Sequence, residues 1–296
     1  MIATAHRRLW LAVICLGLMG FRVALAQDAT AAPQPGKQGY NAFDPTPTAQ
    51  LRAFCTDRPT KSTSPCTVDA GHFQLETDLF NVTVDRGGGQ TTTTWLASNP
   101  TLKFGLTTAI DVEANVAPYV SVTQTDRASG ARSHVSGVGD LFIRAKWALL
   151  GDDGGAVALA ISPFVKLPTA SHDIGNGAVE GGLIAPININ LPAGWSLVID
   201  PEVDVLRNAA DDGRHLNIAG LLSFSRGLSK TLTASAELWS ATNFDPQGTQ
   251  TQISGDVGLA YVPAGAPDWQ WDGGVNFGLN RQTPAAQAYV GLSRRF

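Results

Sequence analysis

The protein has 296 residues, of which 44% are hydrophobic and 16% are charged, and its formal net charge is −4 at pH 7. The charged fraction lies below the roughly 25% of ordinary soluble domains. A mildly acidic chain argues against nucleic acid as a partner. Beyond the N-terminus no stretch is long and apolar enough to form a membrane-spanning helix.

Residues 1–26 have the layout of a secretory signal peptide. A short basic start at Arg7 and Arg8 is followed by an apolar core at residues 9–21 and a small-residue exit. The apolar run is shorter than the roughly 20 residues of a transmembrane helix. Arg22 also interrupts it, which disfavours an anchoring helix. We therefore expect export and removal of residues 1–26.

Residues 27–70 are rich in Pro, Thr and Ala and show no steady period. They are predicted to be a low-complexity tail, serving as a lumen plug or as a periplasmic segment. Asp57 and Arg58 are the plug candidates, because a segment just before the first strand can fold into a lumen. A solvated periplasmic tether is equally consistent with the sequence.

Cys55 and Cys66 remain once the signal peptide is removed. An even pair in an exported chain favours a disulfide that closes a small loop. The spacing itself gives no geometry, so the pairing is a candidate only. Two cysteines without a histidine at ligand spacing make a poor zinc site, and we predict no metal and no cofactor.

From residue 71 to residue 296 apolar and polar residues alternate with period two, which is typical of strands. Twelve segments have about the length that a tilted membrane strand requires. They span residues 73–79, 94–104, 110–116, 141–149, 157–165, 183–189, 195–205, 216–224, 232–238, 253–261, 269–279 and 286–292. We predict an all-β fold: a transmembrane antiparallel up-and-down β-barrel of about 12 strands.

The connections and the C-terminus indicate the bacterial outer membrane. Long polar stretches at residues 123–137, 168–181, 207–214 and 242–250 are predicted outer loops, and the intervening connections are short periplasmic turns. In such a barrel aliphatic side chains face lipid and charges face the lumen. The last strand ends at Phe296, which predicts recognition by the barrel assembly machinery. Outer-membrane lipid is the other expected partner.

Charged residues on the polar faces of the strands are predicted to line the lumen. Basic residues on early strands would face acidic residues on later ones, and such opposed charge sets the selectivity of a pore. The alternative is that these side chains pair across neighbouring strands and fill a narrow interior. The predicted lining residues are Lys103, Asp111, Glu113, Asp140, Arg144, Lys146, Lys166, Asp200, Glu202, Asp204, Glu237 and Asp256.

Several motifs resemble one family of outer-membrane barrels. They are Thr56-Asp57-Arg58-Pro59, the run from Pro65 to Glu76, Gly137-Val138-Gly139-Asp140-Leu141 with Lys146, and Lys166-Leu167-Pro168-Thr169. Residues 51–296 are similar to the barrels associated with the meta-cleavage pathway of phenol degradation. The resemblance implies a barrel fold and a role in uptake.

We expect a passive channel for small organic solutes, aromatic ones among them. The alternative is a closed structural or interaction barrel that acts through its outer loops without transport. His72, His134, His172 and His215 are scattered along the chain and form no constellation with a serine or paired acids. We therefore expect no enzymatic activity.

Overall fold

The computed structural model describes residues 39–296, so the predicted signal peptide at residues 1–26 lies outside the described residues, as do residues 27–38. Two single-turn 3-10 helices lie at Thr48–Gln50 and Pro192–Gly194. No helix in the described part is long and apolar enough to cross a membrane. The strands are β1 (Phe73–Asp85), β2 (Gln90–Leu96), β3 (Thr101–Gly105), β4 (Ile110–Val116), β5 (Val120–Asp126), β6 (Arg132–Gly137), β7 (Leu141–Leu150), β8 (Val157–Leu167), β9 (Glu180–Ile184), β10 (Ile187–Leu191), β11 (Trp195–Arg207), β12 (Arg214–Gly227), β13 (Leu232–Asn243), β14 (Gln250–Tyr261), β15 (Trp269–Gly278) and β16 (Ala286–Arg295).

These strands build a closed antiparallel wall of twelve strands. Four pairs of consecutive strands, namely β2 with β3, β4 with β5, β6 with β7 and β9 with β10, each form one wall strand with a short break. The first strand, β1, pairs with the last, β16, from Gln74↔Arg295 to Val84↔Ala286. Neither strand therefore has an unpaired edge. Such an edge would be unfavourable in a membrane, because its backbone N–H and C=O groups would lack hydrogen-bond partners in hydrocarbon. The predicted fold class is confirmed.

The outer face of the wall is apolar and the inner face is polar. On β14, Val257 and Leu259 are each 50% exposed, whereas Ser254 and Asp256 are 1% and 2% exposed. A soluble sheet would turn the aliphatic side chains toward a buried core. Here they form a belt around the outside, as in barrels that contact lipid.

The two ends of the barrel differ. One end carries the start of β1, Phe296 and tight connections such as residues 106–109 and Pro192–Gly194; we call it the turn end. The opposite end carries longer connections such as residues 168–179 and 279–285; we call it the loop end. This asymmetry is the one expected for outer-membrane barrels.

Two details of the predicted strands are wrong. The segment at residues 94–104 is interrupted after β2, where Ser98 has a φ of 64° and Pro100 cannot donate a backbone hydrogen bond. The segment at residues 123–137 is not an outer loop but contains most of the hairpin formed by β5 and β6. Its Thr and Ser residues resemble loop composition, yet they extend the sheet at the loop end.

Candidate functional site

The candidate site is the polar interior of the barrel. Most of the residues predicted to line the lumen are buried on the inner face, and Asp140, Arg144 and Glu202 are half-buried there. The buried ones are Lys103, Asp111, Glu113, Lys146, Lys166, Asp200, Asp204, Glu237 and Asp256. Buried charges need partners close by, because the loss of hydration is costly. The contacts of these side chains therefore define what occupies the lumen.

A loop that precedes the first wall strand lies inside this interior. Cys55 and Cys66 form a disulfide with their Cα atoms 6.6 Å apart, and it closes residues 55–66 into what we call the plug loop. The plug loop contacts inward-facing side chains of β1, β3, β7, β11, β13, β14 and β15. Because these strands surround the lumen, the plug loop lies across its centre.

Asp57 attaches the plug loop to one side of the wall. Its carboxylate lies 2.5 Å from Nζ of Lys103 on β3 and 3.0 Å from Nζ of Lys146 on β7. Burial alone would raise the pKa of Asp57, but Lys103, Lys146 and Arg144 outweigh burial and hold that pKa well below its ordinary value. Asp57 is thus a fixed negative charge between two buried ammonium groups.

Arg58 attaches the plug loop to the neighbouring sector. Its guanidinium lies 2.7 Å from the Asp272 carboxylate on β15 and 2.6 Å from that of Asp78 on β1. Burial alone would lower the pKa of Arg58, but Asp272 and Asp78 raise it above its ordinary value. The guanidinium also lies 5.9 Å from the ring centroid of Tyr289 on β16. Consecutive residues of opposite charge therefore bind different parts of the wall.

A third attachment involves the far end of the plug loop. Lys61 Nζ lies 3.2 Å from the Asp256 carboxylate and 4.5 Å from the ring centroid of Trp239. The backbone N–H of Lys61 donates to Glu237 at 2.9 Å, and that of Thr63 donates to Asp200 at 2.7 Å. The backbone N–H of Ser62 also donates to Glu237, at 3.4 Å, so the acidic residues of β11, β13 and β14 hold the plug loop through one ammonium group and three backbone amides.

Glycines on the inner face leave room for the plug loop. A Cβ at Gly258 on β14 would lie 2.8 Å from Cγ of Pro59, and a Cβ at Gly291 on β16 would collide with the Arg58 guanidinium. Any side chain at these positions would push against the seated loop. The wall therefore matches the plug loop in shape as well as in charge.

Replacing Gly258 with alanine is expected to weaken the seating of the plug loop by about 1–3 kcal/mol, the usual cost of overpacking. Trypsin should then cleave after Lys61 faster than in the wild type, giving two fragments on a reducing gel. Gly255→Ala is the matched control, because its Cβ would point away from the lumen and meet only Leu279 at 3.7 Å. Equal cleavage rates in the two variants would contradict the role assigned to Gly258.

The charges of the lumen are more mixed than two opposed sectors. Lys103 lies 2.7 Å from Glu76 on β1, and Lys146 lies 3.2 Å from Glu113 on β4. Lys166 lies 3.2 Å from Asp140 and 2.9 Å from Glu180 on β9. The basic residues thus pair with acids of nearby strands, which was the alternative interpretation of the pattern. Acids without neighbouring wall cations concentrate on β11, β13, β14 and β15, where the plug loop supplies the positive charge.

The sequence of this chain matches a known protein family. The family model described as "Putative MetA-pathway of phenol degradation" matches residues 56–296. The chain belongs to this family. The match confirms the resemblance found in the sequence, and it includes the plug loop from its second residue onward.

Several solved structures are similar to this family member. An outer membrane channel from Pseudomonas putida F1 is 13% identical to this chain and gives a TM-score of 0.59. The alignment covers 82% of this chain and 100% of the channel's chain. The NanC porin is 9% identical, with 75% and 98% of the two chains covered and a TM-score of 0.47. The CymD monoaromatic hydrocarbon channel is 10% identical, with 76% and 88% covered and a TM-score of 0.42. The first likeness supports the barrel fold alone, and a comparison with curated proteins found no match.

The chain that precedes the plug loop is attached to the wall at the turn end of the barrel. Arg52 lies 3.4 Å from Asp69 and 3.0 Å from Asp152 in the turn after β7. Arg295, at the end of β16, donates to the backbone carbonyl of Arg52 at 2.8 Å and pairs with Asp268 at 2.6 Å. These contacts tie the base of the plug loop to the wall.

Several wall residues that contact the plug loop were missing from the predicted lining. They include Gln74, Glu76, Asp78, Trp239, Ser254, Gln270, Asp272 and Tyr289. Period two alone would have placed Asp272 inward, since Trp271 beside it faces outward. Trp239 and Tyr289 were missed because aromatic side chains in a membrane barrel are usually assigned to the lipid interface.

The four histidines that the structure describes lie apart from one another. His72 contacts the carbonyls of Thr46 and Phe296, and His134 contacts Ser121 on the β5–β6 hairpin. The other two lie at the loop end, next to Asp173 and Asp245 respectively. Within residues 39–296 no cluster of three or more His, Cys, Asp or Glu side chains is arranged to hold a metal ion.

Acidification from pH 7 to pH 5 is expected to leave the Asp57 attachment intact. The ordinary pKa of an aspartate is about 4. Because the pKa of Asp57 is depressed in the folded state, its stabilising contribution is complete above that ordinary value. The contribution is lost only as the pH falls through the depressed pKa. The conductance of the wild type should therefore be the same at pH 7, 6 and 5. An opening at pH 5 that is absent from the Asp57→Asn variant would contradict this prediction.

Proposed function

We propose that this protein is an outer-membrane channel that admits small organic solutes, aromatic ones among them, by passive diffusion through its charged lumen. The observation that carries the proposal is the nature of the plug loop. It is attached to the wall by ion pairs and hydrogen bonds rather than by a packed apolar core. A barrel that served only as a scaffold would be more stable with an apolar interior, because buried ion pairs contribute little net stability.

The proposal includes the location and partners of the protein. The apolar belt faces outer-membrane lipid, and the terminal strand ending at Phe296 is read by the barrel assembly machinery. Phe296 is 56% exposed beside the Arg294 guanidinium, which lies 4.4 Å from its ring centroid. Export through the signal peptide at residues 1–26 precedes assembly, and the barrel carries out no chemistry on its solutes.

One observation favours the second candidate, a closed barrel that acts through its outer loops. The plug loop lies across the lumen and is attached on several sides. A closed barrel would show no ionic current in a planar lipid bilayer and no solute-dependent swelling of liposomes. The channel is expected to give both.

The solute class is tested by swelling rates with matched solutes of one size. A neutral phenol, a benzoate and a benzylammonium ion differ mainly in charge. The excess of acids on β11, β13 and β14 should slow the anion most, since rings of like charge repel ions of the same sign. Equal rates for all three would remove the charged lumen from the proposed mechanism.

A further inference from the structure

A gap remains between the seated plug loop and one sector of the wall. It is a cavity of about 190 Å³ on the turn-end side of Asp200 and Glu237. Hydroxyl groups line it from both sides: Ser196, Ser223, Thr233 and Ser235 from β11, β12 and β13, and Thr60 and Ser62 from the plug loop. The wall side chains that line it are uncharged, and the plug loop adds Asp57 and Arg58.

The position of the gap follows from how the rest of the lumen is filled. On the opposite side the chain after the plug loop lies against β4 and the turn after β7, where Thr67 and Val68 donate backbone hydrogen bonds to Asp152 and Asp111. Toward β1 and β15 the Arg58 ion pairs close the space. The sector from β11 to β13 is therefore open at the turn-end side of the seated plug loop, and a second cavity of about 170 Å³ lies beside Lys61 and Trp239.

One buried polar atom beside the gap lacks a partner. Ser223 is 4% exposed and lines the gap. At the loop-end side of the gap Oδ1 of Asp200 is buried and has no hydrogen-bond partner in the described chain. Unpaired buried polar atoms are costly, so they indicate a place that a hydrogen-bonding molecule occupies.

We propose that this hydroxyl-lined gap is the passage by which small uncharged hydrogen-bonding solutes leave the lumen at the turn end while the plug loop stays seated. The inference rests on the proposed channel function and names its route. Hydroxyl groups both donate and accept, so they replace the hydration of a neutral solute without selecting a charge. The volume exceeds the roughly 150 Å³ cavity that holds one benzene ring, so the passage suits solutes of about one ring.

Cysteine substitution in the gap tests the route. Ser223→Cys and Ser235→Cys are reconstituted in planar bilayers and treated with a methanethiosulfonate reagent that adds a bulky cation to a free thiol. Modification should reduce the current by roughly half or more, because an added group fills the narrowest part of a pore. Ser293→Cys on β16 is the matched control, since Ser293 is fully buried and does not line the gap.

The outcomes separate this inference from the proposed function. Block at both gap positions with an unchanged current at position 293 supports the route. A wild-type current together with thiols that remain unmodified, or that are modified without block, overturns the route but leaves the channel function standing. Equal block at position 293 also overturns it. If the wild-type protein carries no current at all, the channel function fails and the route fails with it.

Discussion

Replacing residues 56–65 with two glycines is expected to raise the single-channel conductance several-fold. The Cα atoms of Cys55 and Cys66 are only 6.6 Å apart, so a short linker can span them without disturbing the chain on either side. The replacement empties the centre of a twelve-stranded barrel, whose width lies between a filled eight-stranded barrel and an open porin. Single-channel recording in planar bilayers measures the change directly.

The same variant should also become more selective for cations. It loses the positive charges of Arg58 and Lys61, which face Asp272 and Asp256, and one negative charge at Asp57. On the other side of the lumen Lys103 and Lys146 keep Glu76 and Glu113 as partners. The reversal potential in a salt gradient should shift accordingly. A matched replacement of residues 127–130, at the tip of an exposed hairpin, should change neither quantity.

The absence of any measurable current in the variant that lacks the plug loop would remove the transport proposal. In that case the wall itself would close the lumen, and the closed barrel would be the better description. Assembly of the variant is checked by its heat-modifiable migration, so that a missing current cannot be attributed to an unfolded barrel. Thus the experiment separates a removable obstruction from a permanently filled interior.

The Asp57→Asn substitution is expected to release the plug loop from the basic side of the lumen. The new amide has the same shape but no charge, so the ammonium groups of Lys103 and Lys146 lose a buried partner. Breaking a buried ion pair in this way costs about 3 kcal/mol. The equilibrium between the seated and the displaced plug loop would then shift by on the order of a hundredfold.

Two readouts follow the release of the plug loop. Trypsin should cleave after Lys61 much faster in Asp57→Asn than in the wild type, and single-channel records should show frequent openings to a larger current. Asp173→Asn is the control, because Asp173 is exposed at the loop end and contacts His172 instead of the plug loop. If Asp57→Asn resists trypsin as well as the control does, the remaining attachments hold the loop without Asp57.

The way the plug loop is attached allows its displacement, which would widen the lumen beyond the hydroxyl-lined gap. Ion pairs and hydrogen bonds can exchange with water when the loop moves out, because both partners are then hydrated again. An apolar contact would instead expose hydrophobic surface each time the loop moved. The contacts of Asp57, Arg58 and Lys61 are therefore suited to a segment that is held in place and can still be displaced.

Some features of this protein were determined by local sequence alone. The alternation around Val257 and Leu259 is enough to assign a strand with one apolar and one polar face, because side chains of a strand point to opposite faces in turn. Repeated over twelve segments that end at Phe296, the pattern predicted the barrel and the inward direction of residues such as Lys103 and Asp256. The motif around Asp57 and Arg58 indicated the family and a plug candidate.

The partners of those inward side chains were decided only by the tertiary structure. Which charge meets Asp57 depends on the register of β3 and β7 and on the path of a loop that has no period of its own. The bulge between Asp78 and Phe80 shifts the phase of β1 in the middle of the strand, which an alternation pattern cannot anticipate. The need for glycine at positions 258 and 291 is explained only by the plug loop, which lies against them and leaves no room for a side chain. Period two is a local property of the backbone, whereas contacts across a lumen arise only when distant strands close into a barrel.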